Sequence, residues 1–151
     1  MFDTISGLPV HALVVHAVVV LLPLMAVISV VVAAVPKWRK AAKWVVGANF
    51  LVLIASFVAK ESGEQLQERL GGQIAHQHGQ YGNLVPIFAF LLLLASALVW
   101  WATSRGGSLI PVSIALVSVA ALAAVAMTVI TGDTGARAVW ETTIAHTQAP
   151  R

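Results

Sequence analysis

At 151 residues, 59% hydrophobic and 10% charged, with a mean hydropathy of +0.89, the chain is too apolar for a soluble domain and holds several runs long enough to cross a bilayer. The absence of cysteine excludes disulfides, thiolate metal sites, Cys-ligated iron–sulfur clusters and c-type haem attachment. The net charge of +3 does not indicate a nucleic-acid partner: four of the nine basic residues, Lys37, Arg39, Lys40 and Lys43, crowd into one short segment between apolar runs, where they read as a membrane-orientation signal.

Asp3 and no Lys or Arg precede the first apolar run, so the N-terminus lacks the basic region of a signal peptide and the first helix is expected to be retained. The pattern predicts one all-α domain over residues 1–151, an integral membrane four-helix bundle with spans at about 9–35, 44–59, 84–101 and 109–131. Pro9 suits a first helical turn, whereas Pro23 and Pro86 are expected to kink their spans locally. The short loops PKWRKAAK and SRGGS hold Lys37, Arg39, Lys40, Lys43 and Arg105, which assigns them to the cytoplasm and both termini to the outside. All six acids then fall on the outer side. Trp38, Trp44, Trp100 and Trp101 lie at the inner interface, and Tyr81 and Trp140 near the outer one, as aromatic anchors do.

The two outer segments resemble each other. Glu61-Ser62-Gly63 follows the second span and Asp133-Thr134-Gly135 the fourth, each leading into a short apolar stripe: Leu66 and Leu70 in one, Ala136, Trp140 and Ile144 in the other. Ser62 and Gln65 have capping-box spacing, and Gly71-Gly72 reads as a stop. These stretches are expected as two short amphipathic helices on the outer face. The repetition suggests two helical hairpins related by an axis along the membrane normal, against the simpler alternative that polar caps follow spans.

At about 1.5 Å per residue, His16, Glu64, His78 and Asp133 rise to similar heights, about 30–36 Å above the inner helix ends. Ionisable groups within a span are costly and often functional. His11 and His16, five apart, stand about 140° from one another around a helix, so one helix cannot offer both to one metal ion without distortion. His16 is the deeper, while His11 lies nearer the surface as a hydrogen-bonded structural residue or a further cofactor contact. His76 and His78 cannot both face the bundle from a helix, and the spacing leaves open which does. His146, in the C-terminal tail, reads as a surface residue.

The segments GLPVHALVVH (7–16), SGEQLQER (62–69), the histidine–glycine run around His78 and GDTGARAVW (132–140) together resemble a bacterial family of small four-helix membrane proteins of unknown function, found alone or fused to Rieske iron–sulfur domains. The resemblance covers essentially the whole chain and is nearest to the actinobacterial branch; relatives commonly carry His where this chain has Asp133. It implies comparison with membrane b-type cytochromes, an analogy of architecture.

Three readings follow. The first is a b-type haem protein in electron transfer, with His16 and His78 reaching iron from diagonal helices and Arg69, Arg137 or Lys60 meeting the propionates. The second is a transition-metal or proton site made by His16, His78, Asp133 and Glu64. The third is an accessory subunit with no cofactor, whose polar cluster is structural and whose partner, beyond the lipid bilayer, is a membrane redox complex or another copy of itself. No nucleotide-binding glycine loop, nucleophile elbow or zincin motif is present, so no enzymatic activity is read from the chain.

Overall fold

The computed structural model describes residues 4–5, 8–69 and 76–148, with side chains over 11–69 and 76–140. Leu70, the Gly71-Gly72 stop, and the side chains of Ile144 and His146 lie outside the described residues. Among the described residues, five α-helices carry the fold: α1 (Val10–Ala34), α2 (Ala42–Arg69), α3 (His76–Gly82), α4 (Val85–Ser104) and α5 (Ile110–Gln148). A two-residue strand pair, Thr4–Ile5 with Leu8–Pro9, precedes α1. Among the described residues, four helical stretches are long and apolar enough to cross a membrane: α1, α2 with the 3-10 turn before it, α3 continued by α4, and α5. Their outward faces carry Val20, Leu51, Phe57, Leu94, Val119 and Leu122, a surface suited to hydrocarbon.

The spans form a square. α1 packs against α2 and α5, and α4 packs against the same two helices, so α1 and α4 face each other across a diagonal. Burial shows that the square is two copies of one hairpin. On α1 the inward residues Val18, Leu22, Met25, Ser29 and Val32 match Val85, Ala89, Leu92, Ser96 and Val99 on α4 at one constant shift along the chain. On α2, Val45, Asn49, Val52, Ser56 and Ala59 match Val117, Ala121, Ala124, Thr128 and Thr131 on α5 at another. The repeat suggested by the two triplets therefore runs through the core, with α1–α2 related to α4–α5 by a pseudo-twofold axis along the bundle.

Mid-bundle, Asn49 straddles that axis, donating from Nδ2 to Ser29 Oγ at 3.0 Å and to Ser96 Oγ at 2.9 Å, so one amide joins both repeats. The two serines donate back along their own helices, to Met25 O at 2.6 Å and Leu92 O at 2.8 Å, as buried serines in apolar helices do. At the basic-loop end, a 3-10 turn (Pro36–Ala41) joins α1 to α2, and Arg39 Nε donates to Ala33 O at 2.7 Å, satisfying a carbonyl left open at the end of α1. Gly106 and Gly107, at φ of 92° and 88°, make the turn from α4 to α5 that a side chain would strain.

The two stretches expected as separate surface helices are continuations of the spans: α2 runs unbroken to Arg69 and α5 to Gln148. Ser62 Oγ donates to Ala59 O at 3.1 Å, and Thr134 Oγ1 to Ile130 O and Thr131 O, both at 3.0 Å. Each hydroxyl bonds the turn behind it instead of capping a new helix ahead. The short helix at this end is α3, which packs on α5 and α2.

Candidate functional site: two imidazole sockets

At the end of the bundle carrying the termini, opposite the basic loops, each repeat builds the same small socket. In the first turn of α1, His11 Nδ1 donates to Ala59 O of α2 at 3.0 Å, and its ring lies over Gly63 so closely that a Cβ there would come within 2.8 Å of His11 Cε1. His78 on α3 donates from Nδ1 to Thr131 O of α5, also at 3.0 Å, and lies over Gly135, where a Cβ would stand 3.0 Å from its Cε1 and Nδ1. In both cases the accepting carbonyl lies one helical turn before the glycine. The acid–hydroxyl–glycine triplets are thus the socket walls: Gly63 and Gly135 admit the rings, and Ser62 Oγ stands 3.4 Å from His11 Nδ1.

The imidazoles meet at the axis, their ring centres 6.1 Å apart and their planes inclined at 72°. A carbonyl oxygen can only accept, so Nδ1 carries the proton in each neutral ring and Nε2 presents a lone pair. Neither Nε2 has a hydrogen-bond partner among the described residues. Histidines that ligate metal are commonly tied in this way, through the second nitrogen to a backbone carbonyl, which fixes the ring and strengthens the ligating nitrogen.

The rings border an open cleft of about 830 Å³ including its mouth. Its walls draw symmetry-related residues from both repeats, including Val18 with Val85 and Ser56 with Thr128. Thr131 Oγ1, on the wall, is buried without a hydrogen-bond partner among the described residues.

The expected His16–His78 pairing is not the one the fold makes. His16 is exposed, lies outside the cleft wall and bonds through Nδ1 to Ala12 O on its own helix. His78, not His76, faces the bundle: His76 is exposed and His78 half-buried. Glu64 borders the cleft but is held by Lys60 at 3.0 Å. Asp133 is exposed and paired with Arg137 at 2.8 Å; it occupies the position of Glu61 in the other repeat, outside the sockets. The mixed set of His16, His78, Asp133 and Glu64 is therefore not assembled, and no group of three His, Asp or Glu side chains among the described residues stands ready to share one ion.

Two imidazoles facing across a cleft are fewer than the three or four protein ligands that zinc sites use. They would suffice to hold haem, whose macrocycle brings most of the iron's ligands itself. The donor set and the largely apolar walls fit that group.

No curated protein and no solved structure matches the chain. Residues 7–148 match the family described as Predicted membrane protein (DUF2231), and the chain belongs to that family.

Proposed function

We propose that this membrane protein binds b-type haem between His11 and His78 and serves as an electron-transfer component of the bacterial cytoplasmic membrane. The observation that carries this reading is the matched pair of sockets, each with an imidazole Nδ1 held at 3.0 Å by a neighbouring helix's carbonyl and Nε2 without a partner among the described residues. Haem, when bound, supplies one-electron chemistry. The chain's own part is to hold the two rings from separate hairpins, to fix their tautomers and to line the ligand with Val15, Val18 and Val85 in place of water. Purified protein titrated with haemin is expected to develop the Soret band and reduced α-band of a low-spin, bis-imidazole centre. A colourless protein that takes up no haem would sink the proposal. It would leave His11 and His78 as interhelical staples in an accessory subunit.

We also propose that the basic-loop end is cytoplasmic and that the haem lies toward the outer face. Lys37, Lys40 and Arg105 occupy the two short connections at one end, with Lys43 beside them in the first turn of α2, on the side where positive charge is retained. The natural chain has no cysteine, so single-cysteine variants report without background. In intact cells an impermeant maleimide is expected to label Gln80→Cys and to spare Lys40→Cys; the reverse pattern would invert the topology.

A further inference from the structure

The two imidazoles are equivalent, but the walls beside them are not. On α2 the cleft is bordered by Lys60, Glu64 and Gln67, whereas their counterparts on α5 are Gly132, Ala136 and Val139, none of which borders it. A ligand gripped only by His11 and His78 could sit in either of two orientations related by the pseudo-twofold axis. Anything that separates them must come from residues that break the symmetry. Lys60 is the one ammonium or guanidinium on the described cleft wall, directly after the residue whose carbonyl holds His11. Its side chain is 25% exposed and its Nζ is gripped by Glu64 at 3.0 Å and Glu61 at 3.3 Å. Glu64 is itself 41% exposed, so it can turn to water and be replaced at Nζ by a ligand carboxylate, one anion for another, at the small cost of a partly exposed ion pair.

We infer that Lys60 is the orientation-selecting residue of this site: it draws the carboxylate edge of the ligand toward α2 and so chooses one of the two placements that the imidazoles alone permit. The inference rests on the haem reading, since protohaem carries both carboxylates on one edge.

The test compares a protohaem isomer whose side chains are symmetric about the axis between its two carboxylates, so that a flip about that axis makes no second species, with its dimethyl ester, which lacks the anionic edge, on the whole chain in detergent. Wild-type protein is expected to bind this protohaem as a single orientational isomer, seen as one set of haem-methyl resonances in the paramagnetic NMR spectrum, and the ester as two. Lys60→Gln should give two sets with protohaem and weaken its binding about ten-fold, the scale of one charge-assisted hydrogen bond, while leaving ester binding unchanged. Lys60→Arg should restore the single set. If Lys60→Gln still binds protohaem in one orientation, or weakens both porphyrins equally, the inference fails while the haem reading stands. If neither porphyrin yields a bis-imidazole spectrum in wild-type protein, both fail together.

Discussion

His11→Ala and His78→Ala are each expected to abolish the low-spin spectrum of the haem-loaded protein, and His16→Ala to leave it intact. Each of the first two changes removes one Nε2 and leaves a single imidazole at the axis. Each also removes the interhelical donor to a backbone carbonyl, Ala59 O or Thr131 O, which keeps its bond from Ser62 Oγ or Thr134 Oγ1, so the cost in stability is about 1 kcal/mol, that of one lost interhelical hydrogen bond. Among the described residues His16 bonds only to Ala12 on its own helix, and it stands outside the cleft, so its removal touches neither the proposed ligand nor the sockets. Absorbance and EPR of the three reconstituted variants check the prediction. Loss of the spectrum in His16→Ala, with retention in His11→Ala, would show that α1 is rotated from the orientation described above.

The glycine sockets give a second result, in which the sign is diagnostic. Gly→Ala inside a helix is ordinarily stabilising by up to about 1 kcal/mol, because alanine has the higher helix propensity. Gly47 and Gly132 have no neighbour within 4 Å of an added Cβ, so Gly47→Ala and Gly132→Ala should follow that rule. At Gly63 the new methyl would lie 2.8 Å from His11 Cε1, and at Gly135 it would lie 3.0 Å from His78. The ring must swing away and give up its carbonyl bond, so these substitutions should instead destabilise by about 1–3 kcal/mol, the usual range for overpacking, and remove the low-spin spectrum as completely as loss of the histidine. Thermal unfolding of the four variants measures the sign directly. Stabilisation at Gly63 or Gly135 equal to that at Gly47 would mean that the rings do not rest there.

Much of this architecture was legible in the chain because bilayer physics writes it in long apolar runs and in the placing of Lys37 to Lys43. The repeated triplets were visible too, but their role was misread. A Ser or Thr before a glycine looks like a helix start when the preceding run ends in charges such as Lys60 and Glu61; here the hydroxyls bond backward and the helices continue. The histidine pair was hidden for a different reason. Counting residues from the inner helix ends estimates height along the axis and says nothing of azimuth, and His16 has the height but points out of the bundle. The signal that finds the pair is the constant shift relating buried residues of α1 to those of α4. It carries Val18 onto Val85 and Ser29 onto Ser96, and by the same step it carries His11 onto His78, whereas His16 falls on Asn83.

Each hairpin holds its imidazole entirely with its own parts: α2 supplies the carbonyl and glycine for His11, and α5 those for His78. On the haem reading, the two faces of the bound group are thus governed by separate stretches of chain, and a substitution behind either ring would shift the one reduction potential that both share.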